Sequence, residues 1–122
     1  MTEPNHLQPQ QVFEIVDTMD VDKFTSLFTE NARLTFGNEP SYQGLSAIRD
    51  GVTGFFGTIA GIQHTIVRLW EVGDDTIAHV DATYRRNDGT ELTLAAATIY
   101  HTNGAGKIDD YRVFVDVTPI YV

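Results

Sequence analysis

Cysteine is absent from the 122 residues. That removes any disulfide framework, any thiolate nucleophile and any cysteine-based zinc site. Cations are scarce as well: eight Lys plus Arg face seventeen Asp plus Glu, for a formal net charge of −9, and Lys23 and Lys107 are the only lysines. Such a surface repels phosphate backbones and anionic lipids, so neither nucleic acid nor a membrane surface is expected as a partner. No apolar run approaches transmembrane length, and the polar start MTEPNHLQPQQ lacks the apolar stretch of a signal peptide. The expected setting is the cytoplasm.

What is present fits one domain over residues 1–122, with residues 1–8 expected to be disordered. Pro9 suits a helix N-terminus, and Val12, Ile15, Val16 and Met19 recur at the spacing of one helical face. Asp20 can cap a second short helix carrying Phe24, Leu27 and Phe28. ARLTFGN alternates as a strand and is followed by the turn-rich NEPSYQG. A third helix starts near Ser46, with Leu45, Ile48, Val52, Phe55, Phe56 and Ile59 on its apolar face. Its Gly51, Gly54 and Gly57 imply close approach by another backbone, or mobility.

From Ile62 onward the period becomes two. IQHTIVRLWEV, TIAHVDATYRR, ELTLAAATIYH and KIDDYRVFVDVTPIYV read as long strands joined by the GDD, NDG and TNGAG turns, so neighbours run antiparallel. Three helices followed by such a meander predict an α+β architecture with helices over one face of a curved sheet. Within IAHVDATY, His79 and Asp81 lie two apart and therefore point the same way, into water or into a pocket. His64 and Trp70 fall in one alternation set of their strand. Asp74, Asp75, Asp109 and Asp110 read as solvated turn acids, His101 as an exposed residue beside a turn, and Asp116 as outward-facing.

The order of elements, together with FTENARLTFGN, YQGLSAI, TYRRNDG and IDDYRVFVDVTPI, resembles the SnoaL-like branch of the nuclear transport factor 2-like superfamily over Val12 to Val122. The resemblance implies a cone in which three helices and a strongly curved, mainly antiparallel sheet enclose an apolar pocket. Two catalytic sets known in that superfamily have counterpart positions in this chain. The ketosteroid isomerase set falls on Val12, Phe36 and Thr98, which lack its functional groups. The Asp-Arg-Asp set of limonene epoxide hydrolases falls on Asp81, His79 and Val113, and its water-holding pair on Leu34 and Phe36, so one carboxylate of that site is retained.

On this basis the resemblance turns His79 and Asp81 into the pocket, with Ala78, Val80, Ala82 and Tyr84 behind. Leu94, Ala96, Thr98 and Tyr100 face in from the next strand, and Tyr111, Val113 and Val115 from the last. His79, oriented by Asp81, is then the expected catalytic pair, with Phe36, Phe55, Trp70, Thr98, Tyr100, Tyr111 and Val113 contacting substrate. Tyr100 and Tyr111 are candidate oxyanion donors. His79, Asp81 and His64 are the nearest candidate metal ligands, but no metal and no cofactor is assigned.

Two functions remain open. One is a small cofactor-independent enzyme performing proton transfer on a hydrophobic small molecule, in hydration, dehydration, isomerisation or cyclisation. The other is a non-catalytic module for small-ligand binding or dimerisation. In either case a homodimer is expected through an outer sheet face carrying Val67, Leu69, Val80, Tyr84, Ala95, Ile99 and Phe114.

Overall fold

A computed structural model describes residues 8–122. The disordered start expected over residues 1–8 lies, apart from Gln8, outside the described residues.

Helix α1 (Pro9–Asp17) begins with proline at its first turn, where the missing N–H costs nothing, and buries Val12, Phe13 and Val16. It stops at Thr18, whose hydroxyl donates to the Ile15 carbonyl at 2.6 Å, and Met19 follows in the left-handed region at φ 57°. Helix α2 (Val21–Thr25) starts as expected, with Asp20 Oδ1 accepting from the Lys23 N–H at 3.1 Å. Strand β1 (Phe28–Phe36) leads through a turn into β2 (Tyr42–Gln43), a two-residue strand within the stretch read from sequence as turn.

Helix α3 (Leu45–Phe56) buries Ile48, Val52 and Phe56. Gly51, in its middle, is where the Tyr42 ring rests: a Cβ there would overlap the ring. The close approach expected at this glycine is therefore made by a side chain and not by backbone. A mid-helix glycine costs about 1 kcal/mol relative to alanine, and this seat for an aromatic ring offsets it.

Four long strands follow: β3 (Gly61–Val72), β4 (Asp75–Arg85), β5 (Glu91–Thr102) and β6 (Ile108–Phe114). With β1 and β2 they form one six-stranded curved sheet in the order β2-β1-β6-β5-β4-β3, antiparallel throughout except for the parallel β1–β6 pair. A 3-10 turn (Thr118–Tyr121) closes one end. There Ile120 is buried, and the Arg86 guanidinium donates to the Pro119 and Ile120 carbonyls at 2.9 and 3.1 Å. This is the α+β cone expected from the sequence. No helix among the described residues is long and apolar enough to cross a membrane.

The faces of the sheet correct one expectation. Ala82 pairs with Leu94, Val80 with Ala96 and Ala78 with Thr98, and cross-strand partners share a face. With Leu94, Ala96 and Thr98 inside, as expected, Ala78, Val80, Ala82 and Tyr84 must be inside too, and all four are buried. His79 and Asp81 therefore point to the outer face, one residue out of step with the expected orientation.

In β3, a bulge between Ile66 and Arg68 moves the inward set from Ile62, His64 and Ile66 to Leu69. His64 and Trp70 consequently lie on opposite faces, and Trp70 is 43% exposed. The expected outer patch loses Leu69, Val80 and Tyr84, and keeps Val67, Ala95, Ile99 and Phe114.

This register has a measurable consequence. Val80→Asp forces a carboxylate into the closed inner face and lowers the unfolding free energy by at least about 3 kcal/mol, whereas His79→Ala and Asp81→Ala each stay within about 1 kcal/mol of wild type. Urea titration followed by circular dichroism measures the ranking; the reverse order would put the polar pair inside.

Candidate functional site

Between the concave face of the sheet and the three helices lies a cavity of about 100 Å³. Helices α1 and α2 contribute Val16 and Phe24 to its wall, and α3 contributes Gly51, Val52, Phe55 and Phe56. The sheet supplies Leu34, Phe36, Tyr42, Ile62, His64, Ala82, Tyr84, Ala96, Thr98, Tyr111 and Val113, and the β1–β2 turn supplies Glu39. Glu39 is the exposed member of this lining, so the opening lies on its side. Much of the wall also belongs to the main core: Phe24 meets Tyr111 edge-on at 5.5 Å, Phe36 meets Phe55 at 4.8 Å, and Phe55 meets Tyr84 at 6.2 Å.

One histidine on this wall, His64, is paired with a carboxylate behind it from a segment distant in sequence. Asp17, the last residue of α1, reaches His64 in the inward set of β3. Its Oδ1 lies 2.6 Å from His64 Nδ1, and its Oδ2 accepts from the His64 backbone N–H at 3.0 Å. The side chains are 11% and 23% exposed for His64 and Asp17 respectively. The Phe13 ring packs 5.0 Å from the imidazole and fixes its other side. Two bonds from one carboxylate leave the ring little freedom and place the proton of the neutral imidazole on Nδ1. Nε2 then carries the lone pair. It has no hydrogen-bond partner among the described residues and is not sealed from solvent-sized space.

Hydroxyl groups complete the polar lining. Tyr84 is pushed up to about 12, chiefly by burial and secondarily by Tyr121. Tyr111 is raised further, again by burial first and then by Tyr100, Tyr84 and Asp17. Both phenols are therefore neutral hydrogen-bond donors at physiological pH. No hydrogen bond among the described residues holds either one.

The expected substrate contacts divide cleanly. Phe36, Phe55, Thr98, Tyr111 and Val113 line the cavity. Tyr100 does not: it is buried one layer behind, stacked on Tyr111 at 5.9 Å. Its Oη has no hydrogen-bond partner among the described residues, and burial raises it to about 12. The Thr76 hydroxyl opposite it is near enough to oppose that rise but not at bonding geometry. Trp70 lies on the outer face beneath the Arg68 guanidinium, 5.3 Å from its ring centre.

His79 and Asp81 also lie on the outer face, away from the cavity, and His64 is across the sheet from them, so that candidate metal set does not assemble. His64 was legible as a polar residue in an apolar set; Asp17 was missed. Nothing in the sequence links two residues 47 positions apart, and only the packing of α1 on β3 joins them.

The fold and this concave site define a small α+β ligand-binding or catalytic domain, and comparison with known proteins gives its family. The SnoaL-like domain model matches residues 10–111, so the chain belongs to the SnoaL-like domain family. Among solved structures it is similar to the epoxide hydrolase/cyclase-like enzyme SalBIII, described for pyran ring formation in the polyether salinomycin. That match has 23% identity and a TM-score of 0.77, covering 89% of this chain and 88% of that one. It is also similar to a putative SnoaL-like polyketide cyclase from Jannaschia sp., at 14% identity and a TM-score of 0.75, with coverage of 98% and 93%. An NTF2-like protein of unknown function from Burkholderia pseudomallei matches at 12% identity and a TM-score of 0.80, over 91% and 89%. No curated protein matches the sequence.

The raised Tyr84 sets a pH dependence with a definite sign. Because its folded value lies above the unfolded 10, the stabilisation is complete below pH 10 and is lost as pH rises toward about 12. The loss from this group is on the order of 3 kcal/mol. Denaturant melts between pH 9 and 12 should show the decline, and Tyr84→Phe should reduce it.

Proposed function

We propose that the chain is a small cofactor-independent enzyme that moves a proton on a hydrophobic small molecule, with His64 as the base and Asp17 as the group that orients it. The reading rests on one observation: a carboxylate-anchored imidazole stands on the wall of an otherwise mostly apolar cavity. The proton leaves a carbon or hydroxyl of the substrate, or, for addition of water, the water that attacks it, for His64 Nε2, and Asp17 stabilises the imidazolium that results. Neutral Tyr111 or Tyr84 donates a hydrogen bond to the oxygen on which negative charge develops. The imidazolium then returns its proton to a different atom, which accounts for isomerisation, dehydration, ring closure or addition of water. The cyclase and epoxide-hydrolase descriptions of similar structures are consistent with this class. A cysteine-free acidic chain suits the cytoplasm.

A second reading is a module that binds its ligand unchanged. It is favoured by the way Asp17 satisfies both the ring and the backbone N–H of His64, as a purely structural pair would. A turnover screen with small epoxides, enones and polyketide-like lactones decides between the two. With an active substrate in hand, His64→Gln and Asp17→Asn should each lower kcat by about 10²- to 10⁴-fold with the fold intact. His79→Gln and Asp81→Asn should keep activity. Saturable binding without turnover of any of these compounds would favour the binding module, and full activity in His64→Gln would end the proton-transfer reading.

We further propose that two copies pair through the outer sheet face. Val67 and Phe114 are 48% and 52% exposed there, and Ala97, the cross-strand neighbour of Phe114, extends the apolar surface. Sedimentation should give a dimer at micromolar concentration, and Val67→Glu with Phe114→Glu should give a monomer. A monomeric wild type would count against it.

A further inference from the structure

The wall of the cavity is not uniformly buried. Phe24, Val52, Phe56 and Tyr111 belong to the main core, so none of them can move without unpacking a helix or the sheet. Tyr42 is different. It is half-buried, it comes from a two-residue edge strand, and its ring rests on Gly51, a point of α3 that has no side chain.

The backbone around it is tied down. The Gly44 N–H donates to the Ala32 carbonyl at 2.8 Å, Gln43 Nε2 donates to the Asn31 carbonyl at 3.0 Å, and the Thr35 and Ser41 hydroxyls meet at 2.6 Å. The ring thus projects from an anchored hairpin onto α3. No hydrogen bond among the described residues holds its hydroxyl. Tyr42 and Gly51 both line the cavity, on the wall that includes Glu39 at the opening.

Size gives this contact its meaning. A cavity of about 100 Å³ is smaller than the roughly 150 Å³ that takes benzene in an engineered protein interior. A single ring therefore already reaches toward the opening, and a fused second ring adds bulk along the wall where the Tyr42 side chain stands.

Resting on the proposed function only for the identity of the cavity as the substrate site, we propose that Tyr42, seated on Gly51, is the specificity-determining residue that limits the substrate group entering the cavity to a single ring. The ring of Tyr42 lies over Gly51 of α3, on the cavity wall that includes Glu39 at the opening. Gly51 is required because a methyl group there would drive the tyrosine off its seat and into the cavity or out of the wall.

The test uses binding, not turnover, with phenol and 1-naphthol as the probes, titrated against wild type and variants by chemical-shift changes of cavity amides. Wild type should bind phenol at least about tenfold more tightly than 1-naphthol, a margin of the size that small steric differences in an apolar pocket produce. Tyr42→Ala should reverse the preference by gaining at least about tenfold for 1-naphthol. Gly51→Ala, checked for native circular dichroism, should shift the phenol affinity, and the Tyr42→Ala, Gly51→Ala double variant should bind 1-naphthol like Tyr42→Ala alone.

An unchanged phenol to naphthol ratio in Tyr42→Ala would overturn the proposal, as would failure of both probes to bind wild type and Tyr42→Ala at millimolar concentration. A reversed ratio in a protein with no turnover would keep the size limit and remove the enzyme reading. Activity that depends on His64 with an unchanged ratio would do the opposite.

Discussion

An unbroken ladder from the Asp75–His101 pair to the Arg85–Glu91 pair holds β4 against β5, and most of the site depends on its register. Strand side chains alternate with a period of two, so a slip of one residue would exchange the entire inner set for the outer one. The turn Arg86 to Thr90 closes the hairpin with reciprocal backbone and side-chain bonds: the Arg86 N–H donates to the Thr90 carbonyl at 2.7 Å, and Asp88 Oδ1 accepts from the Thr90 N–H at 2.9 Å. That closure commits Ala82 and Tyr84 to the cavity wall and Val80 and Ala78 to the contact with Phe13 of α1. It also commits His79 and Asp81 to the outer face.

The chemistry of the site comes from the end of one helix meeting the middle of one strand. Helix α1 ends at Asp17 because Thr18 turns its hydroxyl back onto Ile15 and Met19 takes a left-handed conformation. Those two residues redirect the chain and leave the Asp17 carboxylate at the helix terminus, facing β3. On the strand side, His64 lies just ahead of the Ile66/Arg68 bulge, in the stretch whose inward set includes Ile62 and Ile66. The bulge turns the remainder of β3 over, so Trp70 leaves the concave side while His64 stays. A polar pair in such surroundings is stable because each group satisfies the other. One ring nitrogen is left without a partner among the described residues.

Much of the fold was legible from local pattern. The helical spacing of Val12 and Val16, the Asp20 cap and the period-two strands after Ile62 all reappear where expected, since each depends on neighbours within a turn or a hairpin. The inward sets of β5 and β6 were legible too. In β4 the apolar pattern of Ala78, Val80, Ala82 and Tyr84 marked the buried face, but the likeness of HVD to a known catalytic set pointed the other way. The pairing with β5 settled it in favour of the apolar residues. Five expected wall residues, Phe36, Phe55, Thr98, Tyr111 and Val113, reached the cavity; Trp70 was lost to the bulge and Tyr100 to a second layer.

The sequence alone therefore determined the elements, the α+β class and the acidic, cysteine-free character, because periodicity, caps and turns act over a few residues and composition needs no geometry. Tertiary structure decided what stands beside the cavity. The Asp17–His64 pair, the seat of Tyr42 on Gly51 and the face shown by Trp70 each depend on segments far apart in the chain, or on one extra residue in a strand. Local propensity does not encode a distance of 2.6 Å between residues 47 positions apart; only the packing of α1 across β3 does.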